Sequence, residues 1–146
     1  MKSAASLLLV ALAIGGWPAP HAQNAAVCTL TVRVSGFAHA RGTAMLALTD
    51  SKAFLGPRNA ALRQQSLPIR DGDVTWVVRD VPYGSYAVQA YHDENGNRRL
   101  DRNFLGIPSE PYGFSNDARS MMRAPTYEDA AFTVAAAAMT IEIRIR

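Results

Sequence analysis

The densest chemistry in this 146-residue chain lies in one run, His92-Asp-Glu-Asn-Gly-Asn-Arg-Arg-Leu-Asp101. Asp93, Asn95, Asn97 and Asp101 stand at relative positions 1, 3, 5 and 9, a spacing that turns alternate side chains inward in a tight loop. Calcium is a hard cation that takes about 6–8 oxygens, and loops of alternating Asp and Asn wrap around it. Glu110 can add a carboxylate from further along the chain. The expected calcium-like metal set is therefore Asp93, Asn95, Asn97, Asp101 and Glu110, with calcium as the candidate cofactor. The pattern departs from an EF-hand at two places. Arg98 stands where the sharp turn wants glycine, and Phe104 where a bidentate Glu belongs. The competing reading is a strand-end turn, rich in Asn, Asp and Gly because these residues bond their own backbone and tolerate left-handed geometry. In that reading Arg98, Arg99 and Arg102 neutralise the same carboxylates.

Two further chemistries use overlapping residues. His92 beside Asp93 could serve a transition metal, which would want a second imidazole, and His39 is the candidate beyond the leader. His92, Asp93, Asp101 and Glu110 are also the residue types that acid–base catalysis in a hydrolase requires. No serine elbow, zinc motif or phosphate loop accompanies them. Cys28 is the single cysteine, so no internal disulfide can form, and it reads as a small hydrophobe opening a strand. The net charge of +3 is spread over scattered arginines, with only Arg98 and Arg99 adjacent. A nucleic-acid surface would need a basic patch interleaved with stacking aromatics, so none is expected.

The elements that must position these groups are strands. Leu30, Val32 and Val34 share one face of a period-two pattern, opposite Thr29, Thr31, Arg33 and Ser35. Ala44, Leu46 and Leu48 repeat it, as do Val74, Trp76 and Val78, then Tyr86, Val88 and Ala90, and finally Ile141, Ile143 and Ile145. Ser51–Leu55 fits one helical turn, and Ala61–Leu67 a strand or a loop. Strands separated by Gly, Pro, Asn and Asp clusters predict an all-β, antiparallel immunoglobulin-like or prealbumin-like β-sandwich. Tyr86, two residues beyond Gly84, matches a tyrosine corner, whose hydroxyl bonds back to the upstream backbone. From His92 to Asp129 no strand or helix is predicted. So long a loop is usually functional or disordered. Phe104, Leu105, Ile107, Tyr112, Phe114 and Tyr127 make it too apolar for a solvated tail, and are expected to hold it against the sandwich.

The chain opens with Lys2 and an uncharged run from Ala4 to Gly16, then Trp17, Pro18 and Pro20, with Ala22 before Gln23. A positive start, an apolar stretch of about 7–15 residues and a small-residue exit describe a secretory signal peptide. Spanning a bilayer takes about 20 apolar residues, and the prolines stop this run early. The expected organisation is a signal peptide over 1–22 and a single β-sandwich domain over 23–146 with a long loop at 92–129, periplasmic or secreted. No transmembrane segment is expected in the exported part.

The run Gly84-x-Tyr86-Ala87-Val88, followed by His92-Asp93-x-Asn95-x-Asn97-x-x-Leu100-Asp101-x-Asn103-x-x-Gly106-x-Pro108-x-Glu110-x-x-Gly113-Phe114-Ser115-Asn116, resembles a bacterial exported family catalogued as domain of unknown function 2141. The resemblance extends through Pro125-x-Tyr127-Glu128-Asp129-Ala130-Ala131-Phe132 and the N-terminal strands at Val32-x-Val34-x-Gly36 and Gly42. Members commonly carry Gly where this chain has Arg98. The resemblance implies export and a sandwich fold, with no reaction attached. The preferred reading is a non-enzymatic module that binds a ligand or protein partner through the 92–129 loop, because loops on a rigid sandwich are where recognition is placed. The alternatives are the hydrolase using His92, Asp93, Asp101 and Glu110, and a purely structural envelope component.

Overall fold

The computed structural model describes residues 26–51, 53–56, 60–119 and 124–146, so the leader expected over 1–22 lies outside them. Among the described residues eight strands form two sheets: β1 (Val27–Ser35), β2 (Thr43–Thr49), β3 (Arg63–Pro68), β4 (Asp73–Pro82), β5 (Gly84–Asp93), β6 (Tyr112–Phe114), β7 (Phe132–Val134) and β8 (Ala138–Arg144). The small sheet has the order β4-β1-β8. The large one runs β3-β2-β5-β6, with β7 pairing the start of β5. All pairings are antiparallel except that of β1 with β8. No helix among the described residues is long and apolar enough to cross a membrane.

Period-two sequence produces the core directly. Cys28, Leu30, Val32 and Val34 of β1 are buried against Val74, Trp76 and Val78 of β4 and Ile143 of β8. Across from them lie Ala44, Leu46 and Leu48 of β2 and Tyr86, Val88 and Ala90 of β5. Burial also pushes the Cys28 thiol above its ordinary range, which leaves it a packing residue. The alternation in β4 breaks between Val78 and Val81, where the pairing with β1 shifts register. Asp80 takes the positive φ of 55° there, a conformation Asp tolerates, and the extra residue turns Val81 inward. The Tyr86 hydroxyl donates to the Pro82 carbonyl at 3.0 Å, so the tyrosine corner forms and pins the β4–β5 turn.

The segment expected as one long loop differs in two ways. His92 and Asp93 complete β5, paired with Ala44 and Thr43, where the Arg41 carbonyl meets His92 Nε2 and loop amides meet the Asp93 carboxylate. Beyond them β6, a 3-10 turn at Ser115–Asp117 and the single helical turn α1 (Tyr127–Ala130) interrupt the irregular backbone. Thr126 caps α1 reciprocally with Asp129. Tyr112 and Arg146 exchange backbone hydrogen bonds at 3.2 Å, tying β6 to the residues that follow β8. Phe114, Ala118 and Ala130 pack with Ala87, and Phe54, Tyr112 and Tyr127 close around them, which covers the outer face of β5. The expected roles of Phe104, Leu105 and Ile107 are not fulfilled. They are 95%, 67% and 55% exposed, on a tip that the hydrogen bonds of Asn103 and Arg102 shape.

Trp76 lies in the small sheet with 7% of its surface exposed. Trp76→Ala is expected to destabilise the domain by about 3–5 kcal/mol, the usual cost of deleting a large core aromatic, read from urea unfolding. A loss below about 1 kcal/mol would contradict its place in the core.

Candidate functional site

The end of β5 and the segment that follows fold into a hydrogen-bonded knot. Asp93, 1% exposed, accepts backbone N–H bonds from Gly96 (2.8 Å) and Asn97 (3.1 Å) on Oδ1 and from Arg98 (2.8 Å) on Oδ2. Such a turn demands left-handed backbone, and Gly96 (φ 78°) and Arg98 (φ 62°) supply it. Asp101 accepts the side-chain amides of Asn95 (2.6 Å) and Asn97 (2.8 Å). Glu110, 6% exposed, bridges the knot's two ends by accepting the backbone N–H of Glu94 (2.9 Å) and of Asp101 (3.0 Å). The Asn95 and Asn97 side-chain oxygens accept the backbone N–H groups of Asn97 and Arg99.

All five residues of the expected calcium-like set are therefore brought into one network, and each of their side chains already meets an N–H donor. The arginines are not those donors. Arg102 turns its guanidinium to the Gly106 carbonyl at 2.9 Å, and among the described residues Arg98, Arg99 and Arg102 form no ion pair. The expected neutralisation of the carboxylates by these arginines is thus replaced by hydrogen bonds from backbone and asparagine amides.

His92 sits on the core-facing side of the knot with no exposed side-chain surface. Its Nε2 lies 2.6 Å from the Arg41 carbonyl, so that nitrogen carries the proton. Gly42, at φ 85°, makes this approach possible, since a Cβ there would strike the Asp93 carbonyl. His92 Nδ1 is buried without a hydrogen-bond partner and faces Glu94 Oε1 at 3.6 Å. His39 presents Nε2 to the same oxygen at 3.5 Å, and its ring lies 4.9 Å from that of His92. Of the four residues of the hydrolase alternative, Asp93, Asp101 and Glu110 are thus bound to amides and His92 to a carbonyl. Glu94 was not singled out from the sequence. Its signal was its place two residues after His92, just past the end of β5.

A second feature lies on the outer face of the large sheet. A groove of about 680 Å³ opens over Met45, Ala47 and Thr49 of β2 and Gln89 and Tyr91 of β5, with Tyr112 and Phe114 along one side. Leu55, Leu100, Ile107 and Pro108 supply apolar walls, and Arg98, Arg99 and Arg102 come from the segment that roofs it. Sequence periodicity named only the inward residues of these strands, because the chain that covers their outer face arrives from residues far away.

Asp93→Ala removes the acceptor of three amides. A loss of about 2–3 kcal/mol is expected, since stranded donors cost more than a hydrogen bond contributes on balance. Because those oxygens already hold donors, the melting temperature should be the same in millimolar calcium and in chelator. A rise in calcium that Asp93→Ala abolishes would instead show that a cation displaces the amides.

No curated protein and no solved structure matches the chain. The family model described as an uncharacterized protein conserved in bacteria, DUF2141, matches residues 32–142, which takes in both sheets, the knot and the groove. The chain belongs to the DUF2141 family.

Proposed function

We propose that the protein is an exported, non-enzymatic binding module whose groove on the large sheet takes a small apolar molecule bearing an anionic group. The observation that carries this reading is the groove itself. Its volume of about 680 Å³ falls in the range of small-molecule sites, which are mostly apolar with a few placed polar groups. Met45, Leu55, Ile107, Tyr112 and Phe114 offer the apolar contact, and three arginines without carboxylate partners among the described residues offer the charge. The candidate acid–base groups are committed to the knot, which supports binding over catalysis. Export is supported by the leader sequence and periplasmic or secreted location follows from it.

We further read the sandwich as immunoglobulin-like. Two interlocked pairs, β1 with β4 and β2 with β5, reproduce the B–E and C–F pairings of that architecture, and the tyrosine corner stands at the start of β5 as it does on strand F.

Thermal shift and calorimetry with dodecanoate, dodecanol and dodecyltrimethylammonium test the groove. Dodecanoate is expected to bind best, and the double variant Arg98→Glu/Arg99→Glu to weaken it at least tenfold while leaving the fold intact. Equal affinity for the cationic and anionic amphiphiles, or no saturable binding of any of them, would sink the proposal. For export, mass spectrometry of the protein recovered from its native host is expected to find an N-terminus near Gln23; an intact Met1 on a cytoplasmic product would overturn it.

A further inference from the structure

The pair of imidazoles behind the knot makes sense as a binding site in its own right, independent of the groove. His92 Nε2 must be a donor, because its partner at 2.6 Å is the Arg41 carbonyl. That leaves Nδ1 turned toward Glu94, in a side chain with no exposure at all. A positive centre, either a proton or a metal ion, suits the gap between that nitrogen and the carboxylate oxygen. The separations say which kind of centre fits. His92 Nδ1 and His39 Nε2 stand 3.6 and 3.5 Å from Glu94 Oε1, beyond the usual span of about 2.7–3.2 Å for a hydrogen bond. Ligands held about 2.0–2.1 Å from zinc at tetrahedral angles are about 3.3–3.4 Å apart, close to what is seen.

We propose that His39, His92 and Glu94 form a binding site for a divalent transition-metal ion of the zinc class. The three ligand atoms lie within 4.8 Å of one another, and among the described residues theirs is the group of histidine, cysteine and acidic side chains that converges in this way. Two imidazoles and one carboxylate are a zinc ligand set that leaves a coordination position open. His39 and Glu94 are 33% and 38% exposed, so the ion enters from solvent on their side while His92 anchors it from within. The Arg41 carbonyl supplies the outer contact that holds a ligating histidine in its tautomer, and Phe37 packs edge-on against the His92 ring at 5.4 Å. The anchoring is strong because His92 belongs to β5, whose pairing to β2 continues through it. Imidazole suits zinc, copper and nickel alike, so the site selects the class and not the element.

The test is calorimetric titration of zinc into tag-free, chelator-treated protein, with cobalt(II) absorption to report the ligand geometry. One zinc per chain is expected. His39→Ala and Glu94→Gln, both at partly exposed positions that leave the core alone, should each weaken it at least tenfold, and Asp101→Asn in the neighbouring knot should not. His92→Ala should abolish binding, but the two surface variants decide the matter if it fails to fold. Absence of one-to-one binding by the wild type, unchanged zinc affinity in both surface variants, or loss with Asp101→Asn instead would overturn the assignment.

Discussion

The carboxylate of Asp93 stands at the last position of β5 with three backbone amides aimed at it, and the course of the chain from Glu94 to Glu110 depends on that convergence. A buried charge is tolerated only where donors surround it, and here the donors are the turn's own N–H groups. The turn is therefore folded around the carboxylate whose oxygens it engages. Glu110 repeats the device at the other end, holding Glu94 and Asp101 by their amides. Between these two carboxylates the segment needs little apolar burial of its own, which is why its tip can leave Phe104 fully exposed.

Two surfaces are built from this one arrangement. On the core side, the end of β5 buries His92 and sets it against Glu94, the first residue past the strand. On the far side, the backbone bonds of the knot project Arg98, Arg99 and Leu100 over the outer face of the large sheet. A sheet face that would otherwise be open to water becomes the floor of a groove, with a second small core at Phe114 and Ala130 closing one flank. The rigid strands fix both surfaces and the irregular chain supplies their chemistry, the division of labour expected when recognition is carried by loops on a sandwich.

The strands were legible because each inward residue repeats at every second position, from Leu30 to Val34 and from Tyr86 to Ala90. Tyr86 was legible from its distance to Gly84, a local relation. The gathering of Asp93, Asn95, Asn97, Asp101 and Glu110 was legible as well, since the spacing that suits a cation also suits a knot of amides. What occupies the oxygens was not, because backbone N–H groups are present in every sequence and leave no mark in it. The strand character of His92 and Asp93 was hidden because polar residues interrupted the apolar rhythm. The groove was hidden for another reason: it joins Met45, Gln89, Ile107 and Tyr112, and no local pattern connects positions so far apart.

The pairing of β1 with β8 carries a consequence for how the domain comes into being. β1 is the middle strand of the small sheet, and one of its two neighbours is drawn from the far end of the domain, running parallel to it from Thr29–Ala138 to Ser35–Arg144. Contacts of such long sequence separation are reached late, because the closure entropy of the intervening chain must be met before they form. During synthesis β1 emerges first and then waits, its apolar face of Leu30, Val32 and Val34 without half of its sheet, until the final strand is free. A chain so ordered resists premature closure, because its small sheet is completed only when the last strand arrives.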